Sequence, residues 1–216
     1  LQRLAQGVRL SAWAPPSQLP EVPADASALG YLWLLAWKSG GRVAARVWPQ
    51  QHPDLLTETH LREVGLVIAR DENEMRVGGN ARKGFHADAA QAPDAMLTLA
   101  ALACVLPEPS EVKNISILRR KESDRVESIV ALVTAVGGRA EVQGDTLRIG
   151  PPVTPRVFQL DSRSDHRLAM SAACLSVLAG VSAQITEPYC VQKSFPGFWE
   201  QLALTGWGVD ASFAKE

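Results

Sequence analysis

The stretch Leu118–Arg125 reads L-R-R-K-E-S-D-R and lies where an apolar segment gives way to a helical pattern. It holds four cations and two carboxylates within eight residues. The preceding residues, Val112–Leu118, form a strand candidate, and Ser123–Val136 carries apolar side chains at helical spacing. Ser123 and Asp124 are both suitable N-cap residues. The stretch therefore predicts a strand, a charged junction and a helix in direct succession.

The charges at this junction leave two interpretations open. A helix N-terminus presents unpaired N–H groups and the positive end of the helix dipole, so it suits an anion. If Lys121 and Arg125 are both helical, they lie four residues apart on one face of the helix. A charged, solvated helix start accounts for the same residues, and composition alone favours that simpler interpretation.

Three acidic residues, Asp25, Asp94 and Asp165, each open an apolar run, and they lie about 70 residues apart. Each run is apolar on nearly all sides, which is typical of a buried helix. An Asp at the start of each run can cap the helix. We therefore expect three central helices whose N-termini lie at one end of a single domain, 1–216, with repeats at approximately 25–80, 94–150 and 165–209.

Within each predicted repeat, a strand and an amphipathic helix follow the central helix. The strand candidates are Arg42–Trp48, Glu111–Leu118 and Ser182–Tyr189. The amphipathic helix candidates are Pro53–Val64, Ser123–Val136 and Pro196–Thr205, closed by Gly65, Gly137 and Gly206. Hairpins are predicted around residues 70–74 and around Gly144-Asp145. The third repeat ends near Val209, so its hairpin strand would come from Arg3–Leu10 or from a segment outside the chain.

Four short motifs occur in register along the chain: P-D-A-M at 93–96, K-E-S-D-R at 121–125, D-H-R at 165–167 and C-V-Q-K-S-F-P at 190–196. Their order and spacing resemble those of 5-enolpyruvylshikimate-3-phosphate (EPSP) synthase, also called 3-phosphoshikimate 1-carboxyvinyltransferase. The family enzyme is about twice this length and has its active site between two similar domains; this chain resembles the C-terminal half only. The sibling transferase that acts on a UDP-amino sugar fits less well, because K-E-S-D-R with D-H-R resembles the shikimate branch.

The resemblance implies a fold and a reaction. The fold is an α/β (α+β) inside-out barrel of the enolpyruvyl transferase type, with three pseudo-repeats around central buried helices. The reaction transfers the enolpyruvyl group of phosphoenolpyruvate to the 5-hydroxyl of shikimate 3-phosphate with release of phosphate, in aromatic amino acid biosynthesis. No cofactor or metal is expected, and a missing N-terminal domain or separate half would complete the site.

The resemblance also carries over a set of site residues. Those implied to be catalytic are Asp94, Lys121 and Glu122. Those implied to bind substrate are Ser27, Asp94, Lys121, Arg125, His166, Arg167 and Lys193. Arg125, Arg167 and Lys193 would bind phosphoenolpyruvate, while Lys121 would face shikimate 3-phosphate. With the other half missing, we expect four cations to face solvent on one open wall, that is, on one uncovered side of the domain: Lys121, Arg125, Arg167 and Lys193.

Simpler roles and departures from the family pattern stand beside these assignments. Asp94 and Asp165 are also open to a purely capping role, and His166 to that of a hydrogen-bonded first-turn residue. Ile117 lies where relatives often offer a polar side chain to the shikimate substrate. The first repeat is the least faithful, and its Ser27 is the weakest match. A non-catalytic anion-binding module that kept the fold is therefore the alternative function.

Composition narrows the class of protein. The chain has 216 residues and a net charge of −1, which gives no support for a nucleic-acid or membrane partner. Its three cysteines are widely spaced, lack the spacing of metal ligands and suggest reduced thiols in a cytoplasmic protein. Trp33 and Trp37 lie four residues apart and are expected to pack in the core or at an interface. His52, His60 and His86, which lie outside the motifs, are expected to be solvated.

Overall fold

The computed structural model describes residues 2–4, 7–9 and 23–210, in which helices and short strands alternate. The α-helices are α1 Ala26–Ser39, α2 Leu56–Glu63, α3 Met96–Ala103, α4 Arg125–Ala135, α5 His166–Ala179 and α6 Phe198–Ala203. The strands are β1 Gln2–Leu4, β2 Gly7–Arg9, β3 Val43–Ala44, β4 Val67–Arg70, β5 Glu74–Gly78, β6 His86–Asp88, β7 Ser110–Lys113, β8 Arg139–Gln143, β9 Thr146–Gly150, β10 Phe158–Asp161 and β11 Ala183–Thr186. Three 3-10 helices are Pro53–Leu55, Ile115–Arg120 and Pro188–Lys193.

Three apolar helices form the centre of the molecule, as the sequence predicts. All eight residues of α3 are buried, and α1 and α5 are buried along most of their length. α5 packs against both α1 and α3. Small side chains such as Ala101 in α3 and Ala172 in α5 are fully buried and allow the helices to approach closely. Trp33 lies fully buried on α1, as predicted.

Two of the three expected Asp caps are present. The carboxylate of Asp25 accepts a hydrogen bond from Ala28 N at 2.8 Å, and that of Asp165 accepts one from Arg167 N at 2.9 Å. The capping role left open for Asp94 is wrong, because the N-cap of α3 is Ala95, which makes no side-chain cap bond. The Asp94 carboxylate instead points toward other elements of the fold.

The predicted strands are too long. β7 and β11 end at Lys113 and Thr186, and in both units one residue with positive φ leads into a 3-10 helix: Asn114 with φ 58° and Glu187 with φ 48°. Ile115 and Leu118 are buried from one face of the 3-10 helix, three residues apart, rather than from alternating strand positions. The first strand is also shorter, at β3, and the short strands β6 and β10 were not predicted.

The strands form four small sheets. Their orders are β3-β5-β4, β6-β7-β9-β8, β10-β11 and β1-β2. The antiparallel pairs β4-β5 and β8-β9 are the two predicted hairpins. Strands β10 and β11 form a parallel pair. Strands β1 and β2 form a separate antiparallel pair. Within the described residues, the start of the chain therefore does not supply the third hairpin strand.

The amphipathic helices differ from their predicted lengths but end where expected. Pro53–Leu55 is a 3-10 turn before α2, and α6 covers only part of the predicted third helix. Gly65, Gly137 and Gly206 all have positive φ just beyond these helices, which glycine adopts without strain.

The histidine prediction is wrong for His60. Its side chain is buried, with Nδ1 2.9 Å from Glu63 Oε2 and the ring against Phe85. His60 lies on the inner face of α2, where a ring with one hydrogen-bonded nitrogen can join the core. His52 and His86 are exposed as expected. Within the described part of the chain, no helix combines the length and apolar character needed to cross a bilayer.

Gly84 has less space for a side chain than any other glycine in the described part of the chain, and this yields a stability prediction. A Cβ at Gly84 would lie 1.9 Å from the carbonyl oxygen of Pro109, so Gly84→Ala forces the two segments apart. We expect a loss of about 3 kcal/mol in the free energy of unfolding, measured by urea denaturation. Gly78→Ala is the matched control, since a Cβ there has no atom within 4 Å; equal losses in both variants would contradict the prediction.

Candidate functional site

Arg125, the first residue of α4, lies at the centre of a charged cluster and is wholly buried. Its Nε is 3.3 Å from Asp165 Oδ2, its Nη1 is 2.6 Å from Asp94 Oδ1, and its Nη2 is 2.5 Å from Glu122 Oε2. Each nitrogen of the guanidinium thus meets a different carboxylate. The planar, forked guanidinium has separate donors for all three partners.

Arg167, the second residue of α5, lies beside this cluster with a side chain that is 14% exposed. Its Nη2 is 3.4 Å from Asp94 Oδ2 and 3.3 Å from Ser27 Oγ, and its Nη1 is 3.9 Å from Asp54 Oδ2. The Asp94 carboxylate therefore bridges the two arginines, with one oxygen on Arg125 and the other on Arg167. These contacts also bring the N-terminal ends of the three central helices together, as predicted.

The Asp94 carboxylate has three cationic neighbours. Besides Arg125 and Arg167 it meets Lys121, whose Nζ lies 3.3 Å from Asp94 Oδ1. Burial raises the pKa of the Asp94 carboxyl, but the hydrogen bond from Arg125 and the charges of Arg167, Arg125 and Lys121 together lower it below its ordinary value. The pKa of Arg125 is raised, since its carboxylate partners outweigh the burial that opposes its charge. Both groups are therefore held in their charged forms at neutral pH.

Behind each arginine lies a buried carboxylate that is paired with a serine. Asp165 lies behind Arg125 and accepts a hydrogen bond from Ser123 Oγ at 2.9 Å. Asp54, 2% exposed, lies behind Arg167 and accepts one from Ser27 Oγ. Sequence reasoning missed Asp54. One feature of the sequence pointed to it: Asp54 lies at the start of the amphipathic segment of the first repeat. The charged stretch of the second repeat lies at the corresponding position.

The remaining predicted site residues are Lys193, which is exposed, and His166. Lys193 ends the third 3-10 helix, and its exposed Nζ is 3.5 Å from the carbonyl oxygen of Ser164 rather than near a carboxylate of the cluster. His166 is the first residue of α5 and is largely buried. Its Nδ1 has no hydrogen-bond partner among the described residues. Burial and the charge of Arg167 lower the pKa of His166, against the opposing effect of Asp165.

The expected open wall of four cations is wrong for the two arginines. Arg125 has no exposed side-chain surface and Arg167 very little, because carboxylates surround both guanidinium groups and offset the cost of burying them. Lys121 and Lys193 do reach the surface. A shallow groove lined by Ser116, Ile117, Arg120 and Lys121 runs along the accessible side.

The arrangement can bind an anion and exchange protons with it. Asp94 and Glu122, with side chains 37% and 45% exposed, form the accessible edge of the cluster. An anionic ligand that reaches Arg125 or Arg167 must displace one of these carboxylates. Among the described residues there is no group of three or more His, Cys, Asp or Glu side chains placed to hold a metal ion.

Comparison with solved structures defines the class of fold. An EPSP synthase from Acinetobacter baumannii superposes with a TM-score of 0.71 at 20% identity, over 89% of this chain and 48% of that one. The enolpyruvyl transferase NikO from Streptomyces tendae gives a TM-score of 0.59 at 17% identity, over 84% and 43% of the two chains. The fold is that of the enolpyruvyl transferases, which confirms the predicted barrel class.

Comparison of sequences defines the family. The family model for EPSP synthase (3-phosphoshikimate 1-carboxyvinyltransferase) matches residues 12–202, so the chain belongs to that family. The 3-phosphoshikimate 1-carboxyvinyltransferase of Methanoculleus marisnigri is 36% identical over 184 residues, which cover 84% of this chain and 43% of the relative. That of Clostridium kluyveri is 35% identical over 156 residues, 69% of this chain and 35% of the relative. The chain spans less than half the length of the curated relatives it matches.

The burial of Arg125 predicts a large stability effect. Arg125→Met leaves three carboxylates close together without their shared cation, and we expect a loss of about 3–5 kcal/mol in the free energy of unfolding at pH 7. The folded-state pKa of Asp94 should then rise, so protonation favours the folded variant. The difference in the free energy of unfolding between the variant and the unsubstituted protein should therefore become smaller as the pH is lowered from 7 to 4. Chemical denaturation measures it.

Arg119→Met is the control, because Arg119 makes an exposed ion pair with Asp124 at 2.9 Å. It should change stability by less than about 1 kcal/mol. A loss for Arg125→Met that is no larger than the control, or that grows on acidification, would contradict the analysis of the cluster.

His166 predicts a pH dependence with a defined sign. Its pKa is lowered in the folded protein. The imidazole of His166 takes up a proton near pH 6.5, its ordinary pKa, in the unfolded chain and only at lower pH in the folded chain. The free energy of unfolding should thus fall with decreasing pH below about 6.5, by at most about 1.4 kcal/mol per pH unit from this residue.

Denaturation from pH 7.5 to pH 5 should show a shallower decline for His166→Gln. The exposed His86→Gln serves as the control, and its decline should follow that of the unsubstituted protein. Identical slopes for all three proteins would show that His166 is not held neutral by its surroundings.

Proposed function

We propose that the chain is one lobe of a 3-phosphoshikimate 1-carboxyvinyltransferase, which moves the enolpyruvyl group of phosphoenolpyruvate onto the 5-hydroxyl of shikimate 3-phosphate. The observation that carries the proposal is the convergence of the family motifs on one charged cluster. Asp94, Lys121, Glu122, Arg125 and Arg167 come from three separate motifs, and hydrogen bonds or ion pairs join them directly.

The two arginines would bind phosphoenolpyruvate. Its phosphate and carboxylate groups match the forked donors of Arg125 and Arg167, which already hold carboxylate oxygens at 2.5 to 3.4 Å. The ligand would take over contacts that Asp94 now makes with both arginines. Lys193, whose ammonium group is exposed, would reach the ligand from the third 3-10 helix, with His166 in a supporting role beside it.

Lys121 and the groove beside it would bind shikimate 3-phosphate. Lys121 joins the two parts of the site, because its ammonium group contacts Asp94 and its side chain also lines the groove with Ser116 and Arg120. A phosphorylated acceptor in this groove would place its reacting hydroxyl near the carboxylates. The separation of the groove from the buried arginines suits a reaction with two anionic substrates.

Asp94 and Glu122 would share the proton transfers. The methylene carbon of phosphoenolpyruvate gains a proton, the acceptor oxygen bonds to the adjacent carbon, and the hydroxyl loses its proton. Phosphate then leaves as the new methyl group returns a proton, which restores the enol. A carboxyl group that both donates and accepts a proton works best with a pKa near the working pH. The lowered pKa of Asp94 in the free chain would therefore have to rise. Binding of an anion to Arg125 and Arg167 would offset the cations that lower it.

The other half of the enzyme would complete the site. Asp94, Glu122 and Lys121 are partly exposed, and closure of a second lobe over them would exclude water and strengthen each charge interaction. We propose that this chain alone binds phosphoenolpyruvate weakly and does not turn over. We also propose a cytoplasmic location, since the three cysteines are free and buried.

One observation favours a second candidate, a non-catalytic anion-binding module. Ile117 lines the groove with an apolar side chain that is exposed, at the position where the family resemblance implies a polar contact to the shikimate substrate. Loss of that contact would weaken acceptor binding and leave the arginine cluster intact. The two candidates therefore differ in whether shikimate 3-phosphate binds and reacts.

Reconstitution tests the proposal. The chain is combined with the part of the M. marisnigri relative that lies outside the matched segment, and phosphate release is measured with both substrates. We expect release that needs both lobes. Arg167→Gln should lower kcat/KM about a hundredfold or more, because it removes a donor to the transferred group.

Arg42→Gln is the matched control, since Arg42 pairs with Glu74 on the surface at 3.1 Å. It should leave phosphate release unchanged. Binding of phosphoenolpyruvate without release, in lobes shown to associate, would favour the anion-binding module. Absence of binding in the associated lobes would overturn both candidates.

A further inference from the structure

We propose that Asp54 is the positioning residue of Arg167 and acts through Ser27. Asp54 lies outside the four motifs, in the 3-10 helix Pro53–Leu55 of the first predicted repeat. The proposal rests on the proposed function for its catalytic consequence. Its structural core, a fixed orientation of the Arg167 guanidinium, is independent of any substrate.

Asp54 is built into its place by three contacts. Pro53 fixes the start of the 3-10 helix, and the ring of His52 accepts a hydrogen bond from Asp54 N at 3.2 Å. The Asp54 carboxylate accepts a hydrogen bond from the Ser27 hydroxyl group. A buried carboxylate is costly unless it is paired, and the cation nearest to it is Arg167, with Nη1 3.9 Å from Asp54 Oδ2.

Ser27 links the carboxylate to the arginine. Because its hydroxyl proton is directed at Asp54, its lone pairs face Arg167 Nη2 at 3.3 Å. The guanidinium is thereby held from behind by Ser27 and Asp54 and from the front by Asp94. Asp54 is buried and Ser27 is half-buried, whereas Asp94 belongs to the accessible edge. Only the rear contacts can persist when a ligand displaces Asp94.

The arrangement resembles the one around Arg125, although there the carboxylate itself contacts the arginine, with Asp165 Oδ2 3.3 Å from Arg125 Nε. There, Asp165 takes the buried position and Ser123 donates to it at 2.9 Å. Each arginine of the site thus has a Ser–Asp pair whose carboxylate is buried, and the two arginines share Asp94 in front. Ser27 therefore supports Arg167 from behind, on the side opposite Asp94.

The pair determines how readily Arg167 accepts an anion. Without the Asp54 carboxylate or the Ser27 hydroxyl, the guanidinium would turn toward Asp94, its remaining partner. A ligand must then break a stronger Arg167–Asp94 contact and also order the arginine. Phosphoenolpyruvate should bind more weakly, while shikimate 3-phosphate, placed in the groove beside Lys121, should be affected little.

The first test observes Arg167 without substrate. The side-chain N–H signals of Arg167 are recorded by NMR on the 15N-labelled chain and assigned with Arg167→Lys. Slow rotation of the guanidinium should give resolved Nη signals that merge in Asp54→Asn and Ser27→Ala. Glu58→Gln is the matched control, because Glu58 on α2 pairs with Arg62 on the same helix and with Arg70 at the end of β4. It should leave the signals unchanged.

The second test uses the reconstituted lobes. Asp54→Asn and Ser27→Ala should each raise KM for phosphoenolpyruvate about tenfold, the effect of one lost bond to a charged group, with KM for shikimate 3-phosphate changed less than about twofold. Glu58→Gln should change neither. Tighter binding of phosphoenolpyruvate would overturn the proposal, since it would show that Asp54 only competes with the ligand for the charge of Arg167.

The two tests separate the two proposals. Merged Arg167 signals in lobes that release no phosphate would support the positioning role and count against the proposed function. Unchanged signals in both variants would overturn the positioning role, whatever the activity. If Asp54→Asn fails to fold, Ser27→Ala decides alone, because it removes the link and leaves Asp54 in place.

Discussion

The contact on which the site depends is that of one buried guanidinium with three carboxylates. Arg125 can lie in the interior only because Asp94, Glu122 and Asp165 neutralise it, and these residues come from the starts of α3 and α5 and from the segment before α4. The charge therefore fixes the relative position of these elements as well as the chemistry of the site. Removal of Arg125 would leave the buried Asp165 carboxylate without a cation, and removal of the three carboxylates would leave the buried guanidinium without a partner.

Asp94 shows why long-range contacts decide a local structure. Its sequence context is that of a helix cap, and the equivalent residues Asp25 and Asp165 do cap their helices. Asp94 makes no cap bond, because two arginines and a lysine from other elements bind its carboxylate more favourably than one backbone N–H would. The same residue is thereby available at the accessible edge, where a ligand can reach it.

The sequence predicts the parts of the fold that depend on periodic patterns. The apolar runs specify the central helices, the alternating segments specify both hairpins, and the motifs bring five charged site residues together. The 3-10 turns were missed because a short apolar segment such as Ile115–Leu118 fits a strand equally well until its neighbours are known. Asp54 was missed for a related reason: its partners, Ser27 and Arg167, are distant in sequence, and it belongs to none of the motifs.

The turns after β7 and β11 share one backbone design. Each begins at a non-glycine residue in the left-handed region, Asn114 or Glu187, and continues as a six-residue 3-10 helix that delivers a lysine at or just after its end. The two turns enter with nearly the same backbone geometry but leave differently, because Lys121 is extended (φ −114°, ψ −160°) whereas Ser194 has φ −129° and ψ −31°. A common entry thus lets two strands lead into turns of the same length, while the different exits direct the chain, and the lysine it carries, separately in each unit.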